Sequence, residues 1–230
     1  MSSISIHQPQ YLPWHNYFKK MKKADIFIIL DTVDFQKNGL QNRNQIKTSN
    51  GVNWLTVPVL KKKGQKIYET KIDNKNDWIK KHWKALEQSY NKSPFFNEFK
   101  NIFREVYSKK WNNLSDLNIT LIKIIREILN IKNEIYLSSN LKIKGNSSQL
   151  LLNLCKHFKV NSYLMGEGSL NYLDQNMFHK NNINLLLEKN YILKNYKQNF
   201  MQKGFIPNLS VIDVIFNCGS NFENIIGYEA

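Results

Sequence analysis

The chain carries, at residues 4–18, the segment ISIHQPQYLPWHNYF. A short apolar strand over residues 3–6 leads directly into His7, and two glutamines, two prolines and several aromatic residues follow it. A plain strand-to-helix turn would more often contain glycine, asparagine or serine. This turn instead puts an imidazole and two amides at the carboxyl end of a strand, which is where ligands bind in open α/β sheets.

A β-α-β unit is predicted over residues 3–31. Pro13 suits the first turn of a helix, because its missing N–H would have no partner there in any case. Apolar residues then recur at helical spacing, at Trp14, Tyr17, Phe18 and Met21. Residues 26–30 are all apolar, which indicates a buried parallel strand, and the strand ends at Asp31. We therefore expect His7 and Asp31 at the same edge of the sheet.

The remaining pattern predicts an α/β fold with a Rossmann-like, mostly parallel sheet, flanking helices, a β-hairpin insertion and a helical middle segment. The hairpin strands, residues 42–47 and 52–59, flank a Ser-Asn-Gly turn. Further strands are predicted at residues 67–72, 134–138, 162–165 and 184–187, and helices at residues 77–90, 95–108, 114–129, 147–158 and 209–216. Without repeats or a flexible linker, residues 1–230 are expected to form a single domain.

Composition narrows the class of protein. The 230 residues are 42% hydrophobic, which is enough for one substantial core. No apolar run approaches the roughly 18 residues that a membrane span needs, and Met1 leads into the first strand without a basic leader region. Two cysteines, Cys155 and Cys218, are too few for a disulfide framework. The sequence predicts a cytoplasmic protein with no membrane span.

The net charge of +15 raises the question of an anionic partner. The basic residues are nearly all lysines, and the arginines are Arg43, Arg104 and Arg126. Base readout favours arginine, so sequence-specific nucleic acid is not expected as a partner. A solvated lysine-rich surface is the simplest interpretation, and the alternative is a nucleotide-linked substrate, an acidic carrier protein or a membrane face.

The opening turn supplies the first candidates for catalysis. His7 has the side chain that most often acts as a general base near neutral pH, although it can equally cap a strand edge. Gln8 and Gln10 can bind hydroxyls or a developing oxyanion. Asp31 and Asp34 can orient His7, bind an amine or hold a metal ion, and the structural alternative for Asp31 is a turn or helix cap. No metal site is predicted, because histidine and cysteine lack the spacing of metal ligands.

A second set of candidates lies around the hairpin and the first helix after it. The set consists of Lys37, Asn42, Arg43, Asn44, Lys81 and His82. Arg43 can grip a phosphate or carboxylate through two parallel hydrogen bonds, together with Lys37, and Asn42 can position the reacting group. Lys81 and His82 can contact a pyrophosphate or a carrier. The structural alternatives are a salt bridge across the fold for Arg43 and a solvated helix face for Lys81 and His82.

The carboxyl half of the chain adds a glycine-rich segment. Gly166 and Gly168 follow a predicted strand, and their backbone N–H groups can bind a phosphate. Tyr172 and Asp174 come shortly afterwards, and Asp174 can bind a sugar hydroxyl. The segment therefore predicts a substrate-binding loop at the same edge of the sheet as His7.

Asp213 is unusual because it lies on an otherwise apolar helix. Carboxylates are rarely buried without a partner. We expect Arg43 or His7 to be that partner. Asp213 therefore joins the predicted binding residues.

These segments resemble the WbqC-like family of bacterial proteins over almost the whole chain. The matching segments are HQPxYxPW at residues 7–14, DxVxFxK at 31–37, NRN at 42–44, WLTVPV at 54–59, KH at 81–82, SS at 138–139, YLD at 172–174 and LSxxDxxFNxG at 209–219. The motif extends the predicted binding residues to Tyr11 and Trp14. Two departures are His15, where the family has an apolar residue, and Leu150-Leu151, where it has an arginine. His15 is therefore not expected in the site.

The resemblance implies an enzyme of O-antigen or other surface-polysaccharide biosynthesis. Its implied reaction is transfer of an acyl or aminoacyl group, such as glycyl, to a nucleotide-linked amino sugar. The implied donor is an acyl thioester of CoA or of carrier-protein phosphopantetheine, which makes an acidic acyl carrier protein an expected partner, with no tightly bound cofactor. The alternatives are a nucleotide-dependent ligase or nucleotidylyltransferase-like enzyme, and a non-catalytic scaffold in the same pathway.

Overall fold

The computed structural model describes residues 2–220 and the backbone of residues 226–229. The amino-terminal half contains β1 (Ser3–His7), α1 (His15–Lys23), β2 (Ile26–Ile29), β3 (Arg43–Thr48), β4 (Gly51–Thr56), β5 (Val59–Leu60), β6 (Lys71–Ile72), α2 (Trp78–Tyr90), α3 (Phe96–Ser108) and α4 (Leu114–Ile128). The carboxyl-terminal half contains β7 (Glu134–Leu137), α5 (Ser138–Leu141), α6 (Ser147–His157), β8 (Ser162–Gly166), α7 (Gln175–Lys180), β9 (Asn184–Glu188), β10 (Tyr191–Leu193), α8 (Val211–Cys218) and β11 (Ile226–Glu229).

Five parallel strands form the central sheet in the spatial order β7-β2-β1-β8-β9. Numbered by their sequence within this sheet, the strands lie in the order 3-2-1-4-5, as in the first part of a doubly wound nucleotide-binding sheet. The predicted α/β class with a Rossmann-like sheet is confirmed. The chain moves outward from β1 in one direction and then returns to β1's other side, so the strand order reverses between β1 and β8.

Both faces of the sheet are covered. In β2, Phe27 and Ile29 pack with α1 and the helical layer of α2, α3, α4 and α8. Ile28 points to the opposite face and packs against residues of α6 and α7. This alternation explains why the β2 run is apolar at every position, since each of its two faces contacts a hydrophobic layer.

Three smaller elements differ from their predictions. Residues 67–72 do not form one strand: Ile67–Glu69 is a 3-10 helix, because Lys66 N donates to Glu69 Oε2 at 2.9 Å and closes a capping turn. The second hairpin strand ends at Thr56 rather than at residue 59. The glycine segment is not an open loop, since Glu167–Asn171 also forms a 3-10 helix.

The carboxyl end of α8 depends on a glycine. Gly219 adopts φ +79°, a left-handed conformation that side chains other than glycine's disfavour. A Cβ on this residue would lie 2.9 Å from Phe95 Cε1. At the other end, Ser210 Oγ accepts a hydrogen bond from Ile212 N at 3.3 Å and caps the helix. None of the helices in the described residues has the length and hydrophobicity that a bilayer span requires.

Acid should destabilise this fold through two buried histidines. Burial lowers the pKa of His15 to about 4, although the hydrogen bond between its Nε2 and the Tyr191 carbonyl acts to raise it. Burial also lowers the pKa of His82 to about 4. Between pH 6.5 and 4 the unfolded chain therefore binds protons that the folded chain does not. Each histidine should cost about 3 kcal/mol of unfolding free energy across that window.

Urea unfolding at neutral pH and at the acid end of this window measures the loss. In His82→Gln the loss should shrink by one histidine's share, whatever the variant's stability at neutral pH. An identical loss in the variant and the parent would contradict the assignment.

Candidate functional site

A pocket with both polar and apolar walls lies at the carboxyl edge of the sheet, where β1 and β8 end. It has a first lobe of about 200 Å³ and a second lobe of about 300 Å³, and both are lined by His7, Lys20, Gly166 and Gly168. Together they fall in the range of small-molecule sites, about 300–1,000 Å³. The strand order reverses between β1 and β8, and such a switch point is where open α/β sheets bind ligands.

The turn that follows β1 is fixed by distant side chains. Leu12 has φ 44°, a left-handed conformation that is costly for a residue with a branched side chain. Asn44 Nδ2 donates to the Leu12 carbonyl at 2.6 Å, and Asn118 Nδ2 contacts the Pro9 carbonyl at 3.4 Å. The backbone that presents Gln8 and Gln10 is therefore held in a conformation that the local sequence alone would not favour.

His7 is the last residue of β1 and faces both lobes. Its ring centroid lies 4.8 Å from that of Tyr17. Burial, reinforced by the positive charge of Lys20, holds the pKa of His7 well below its usual value. The imidazole is therefore neutral at pH 7, and its buried Nδ1 has no hydrogen-bond partner among the described residues. A neutral imidazole with an unpaired nitrogen is the form that can accept a proton.

The first lobe concentrates buried polar atoms that lack partners. Besides His7 Nδ1, these are Gln10 Oε1, Tyr17 Oη and Glu188 Oε1, each without a hydrogen-bond partner among the described residues. Most buried polar groups in folded proteins are paired, and exceptions require an explanation. Four of the twelve such atoms in the described residues thus belong to residues that line this lobe, which favours a polar ligand there.

Four charged residues of the first lobe were absent from the predicted site: Lys20, Glu167, Glu188 and Lys189. Lys20 and Glu188 are the most deeply buried of them. Lys20 on α1 is 7% exposed, and burial lowers its pKa to about 8, while the charge of Glu188 acts in the opposite direction. Glu188, the last residue of β9, is 8% exposed, and its Oε2 accepts a hydrogen bond from Lys23 Nζ at 2.7 Å. One feature of the sequence could have identified Glu188 as a site residue: like Asp31, it follows an apolar run that forms a strand.

The second lobe combines amides with aromatic and aliphatic walls. Gln8 Oε1 accepts from Gln41 Nε2 at 2.8 Å, and Gln41 Oε1 accepts from Gln36 N at 2.8 Å, so the amide chain is fixed. The Tyr172 side chain is 56% exposed, and Leu151 lies in the wall. This lobe offers a flat ring and an apolar wall beside hydrogen-bonding groups.

Seven of the predicted residues come together in this pocket. They are His7, Gln8, Gln10, Trp14, Gly166, Gly168 and Tyr172. A Cβ on Gly168 would meet no atom within 4 Å, so the backbone there is open to the lobe, and a Cβ on Gly166 would lie 3.7 Å from Lys20 Nζ. Their roles in binding and catalysis stay predictions, and the geometry brings them within one cavity.

Asp31 and Asp34 lie in other surroundings. Asp31 is 2% exposed, and its Oδ1 accepts from Ser138 Oγ at 2.8 Å and from Ser139 N at 2.9 Å, while its Oδ2 accepts from Ser139 Oγ at 2.7 Å. It thereby ties the end of β2 to the start of α5. Asp34 is exposed and forms an ion pair with Lys66 Nζ at 2.6 Å. Neither carboxylate lines the pocket, and this geometry favours structural roles over the catalytic ones predicted.

Replacing Asp31 should therefore cost stability. Asp31→Ala removes three hydrogen bonds to a buried carboxylate, and we expect the unfolding free energy to fall by about 3 kcal/mol. Asp34→Ala is the matched control, because an exposed ion pair is worth at most about 1 kcal/mol. Equal losses in the two variants, measured by urea unfolding, would show that the Asp31 contacts are not stabilising.

The hairpin residues hold the fold rather than the pocket. Asn42 Nδ2 donates to the Val57 carbonyl at 2.9 Å. The Arg43 guanidinium lies 4.3 Å from the Trp54 ring centroid and donates to the Asn38 carbonyl at 2.5 Å. Asn44 holds the opening turn, as described above, and Lys37 is exposed. Arg43 and Lys37 do not line either lobe, so they are not positioned to bind an anion in this pocket as predicted.

Tyr11 and His82 meet inside the helical layer. Tyr11 Oη lies 2.8 Å from His82 Nδ1 and 2.5 Å from Tyr107 Oη, and the Tyr11 ring is fully buried. Lys81, the neighbour of His82, is exposed. These predicted binding residues are thus separated into a buried network and a surface position, and none of the three lines either lobe.

The predicted partners of Asp213 are wrong. Its carboxylate is fully buried and accepts hydrogen bonds from Tyr90 Oη at 3.0 Å, Tyr196 Oη at 2.5 Å and Gln198 Nε2 at 2.9 Å, and not from Arg43 or His7. These bonds tie α8 to α2 and to the segment after β10. Asp174 likewise has a local role, because it caps α7 by accepting from Met177 N at 3.1 Å.

The sheet order and the pocket at its switch point define a Rossmann-like α/β protein with a candidate small-molecule site. The family model described as "WbqC-like protein family" matches residues 8–225, and the chain belongs to this family. A Mycobacterium tuberculosis protein named "Uncharacterized protein Rv1507c" is 34% identical over 231 residues, which cover 99% of each chain. No solved structure matches the sequence.

Proposed function

We propose that this protein transfers an acyl or aminoacyl group, such as glycyl, to the amine of a nucleotide-linked amino sugar in surface-polysaccharide biosynthesis. The observation that carries the proposal is the neutral His7 imidazole, whose unpaired Nδ1 is buried in the switch-point pocket. An amine must lose a proton as it acylates, and a positioned imidazole that is neutral at pH 7 has an unprotonated nitrogen to which that proton can be transferred in the transition state.

The reaction balances with a thioester donor. The sugar nitrogen attacks the thioester carbonyl, a C–N bond forms and the C–S bond breaks, while His7 takes the proton from nitrogen and returns it to the leaving thiolate. Gln10, whose side-chain amide faces the first lobe, is suited to stabilise the oxyanion that develops on the carbonyl. Gly168, with its open backbone, is suited to bind the phosphates of the sugar nucleotide.

The lysine-rich surface supports the donor assignment. A net charge of +15 favours association with an acidic acyl carrier protein that delivers the thioester through phosphopantetheine. CoA is the other thioester donor to be tested. We expect the reaction in the cytoplasm, a reducing compartment in keeping with the free cysteines Cys155 and Cys218.

Product mass tests the proposal directly. The purified protein is incubated with a panel of nucleoside diphosphate amino sugars and with acyl and glycyl thioesters of CoA and of carrier protein. The expected product is heavier than the sugar nucleotide by the acyl group and requires a sugar that carries an amine. Absence of any acylated product from the full panel of donors and acceptors would reject the proposal.

A nucleotide-dependent ligase or nucleotidylyltransferase is the second candidate. It is favoured by the 3-2-1-4-5 strand order with its pocket at the switch point, an arrangement that binds nucleotides in many proteins. This candidate predicts ATP-dependent release of pyrophosphate in the same incubations. Acyl transfer from a thioester without ATP would exclude it.

A further inference from the structure

We propose that Lys20 and Glu188 form a two-charge recognition element in the first lobe, in which Lys20 binds an anionic group of the ligand and Glu188 binds its amine. The inference rests on the proposed function and deepens it, because it names the residues that would select an amino sugar nucleotide over its hydroxyl counterpart. Neither residue belongs to a motif that the sequence singled out.

Glu188 has one oxygen engaged and one available. Its Oε2 accepts from Lys23 Nζ at 2.7 Å, whereas its buried Oε1 has no hydrogen-bond partner among the described residues, and Glu188 is one of the residues that line the first lobe. A buried carboxylate oxygen without a donor is costly, and an amine supplies the missing donor and, when it binds as ammonium, a complementary charge. The ammonium gives up this proton to solvent before the nitrogen attacks the thioester, and the second proton goes to His7 as described above. A sugar hydroxyl supplies a donor but no charge.

Lys20 stands at the junction of the two lobes. Lys20 is 7% exposed, and within the part of the chain that the structure describes its Nζ makes one long hydrogen bond, 3.5 Å, to the Ile6 carbonyl. Nζ also lies beside the Gly166 backbone, where a Cβ would come within 3.7 Å. A buried ammonium has three N–H donors, and a phosphate or another anion would supply acceptors for those left open by the described residues.

The two charges fix the orientation of the ligand. Glu188, Trp14 and Tyr17 line the first lobe and not the second, whereas Lys20 lines both lobes. An amine bound at Glu188 therefore lies in the first lobe, which His7 also lines, and the phosphates lie at the junction. The remainder of the nucleotide extends into the second lobe, towards the exposed ring of Tyr172.

Equilibrium binding without a donor tests the element independently of turnover. Calorimetry compares matched pairs of probes, UDP-glucosamine with UDP-glucose and their thymidine diphosphate equivalents. The parent protein should bind the amine form about tenfold more tightly, because a hydrogen bond to a charged group is worth that much or more. Glu188→Gln should abolish the preference, and Lys20→Met should weaken both members of a pair by about tenfold and keep the preference.

Matched variants separate recognition from general effects. Lys23→Met removes the ion pair that Lys23 forms with Glu188 Oε2 but leaves Oε1 in place, so the amine preference should persist. Glu98→Gln and Lys84→Met make the same kinds of change at exposed positions, and both variants should bind as the parent does. Thermal unfolding establishes that each variant is folded. Equal binding of the amine and hydroxyl forms by the parent, no binding of any pair, or a preference that survives Glu188→Gln would overturn the inference. If acyl transfer is observed together with such a result, the proposed function stands and the recognition element does not. If selective binding is observed without any transfer, the recognition element stands and the proposed function does not.

Discussion

His7→Gln should lower kcat for acyl transfer by about 10²- to 10⁴-fold, which is the range that a positioned general base contributes. The dissociation constant of the amino sugar nucleotide should change little, because glutamine retains a polar side chain of similar length at the end of β1. The loss therefore falls on the chemical step and not on substrate binding.

The pH profile provides a second signature of the same residue. Burial and the charge of Lys20 hold the pKa of His7 well below its usual value, so the acid limb of kcat/KM should lie below the pH at which an exposed histidine titrates. In His7→Gln this limb should disappear. His179→Gln, at an exposed position of α7, is the matched control and should keep both the rate and the profile. A His7→Gln variant with full activity would remove His7 from the mechanism.

Lys20→Met should stabilise the fold at neutral pH by about 3 kcal/mol. Burial lowers the pKa of Lys20 from 10.5 to about 8, so below pH 8 the folded protein carries a charge that the unfolded chain solvates better. Between pH 8 and 10.5 the folded lysine loses its proton before the unfolded one does, and the stability of the parent rises relative to the variant. The advantage of Lys20→Met should therefore vanish at the alkaline end of this window.

Urea unfolding of the parent and Lys20→Met across this pH range measures the effect. Lys84→Met, on the exposed face of α2, should show no such dependence. If Lys20→Met is less stable than the parent at neutral pH, the prediction is wrong, because interactions within the fold then stabilise the Lys20 ammonium by more than its burial costs. A stabilised variant that binds anions poorly would be a direct case of stability given up for function.

The β1-α1-β2 unit was predictable because its signals are local. The apolar run of β2, the placement of Pro13 and the polar turn after β1 each act within a few residues, and they brought His7 to the correct edge of the sheet. Gly166 and Tyr172 followed by the same reasoning, since parallel strands end at one edge. The segment at residues 67–72 was mispredicted because a capping turn between Lys66 and Glu69 overrode its apolar pattern.

Lys20 could not be distinguished in a chain saturated with lysine. It lies in the run KKMKK, and its burial depends on where β9 and the Gly166 turn pack against α1, which the local sequence does not specify. The opposite error affected Tyr11, His82 and Asp213. Their polarity in apolar surroundings was apparent, but only the folded structure shows that they satisfy one another or nearby tyrosines, and so contribute to the core and not to the pocket.

The turn after β1 has a consequence for how the protein acquires its shape. Its carbonyl at Pro9 is contacted by Asn118, 109 residues later in the chain, and Tyr11 contacts Tyr107 in the same helical layer. Contacts so distant along the chain close late, because the intervening segment must first be ordered. The amino-terminal segment leaves the ribosome first, yet it can reach its working geometry only after α3 and α4 have been synthesised and have docked. The switch-point pocket should therefore be among the last features that the newly made chain completes.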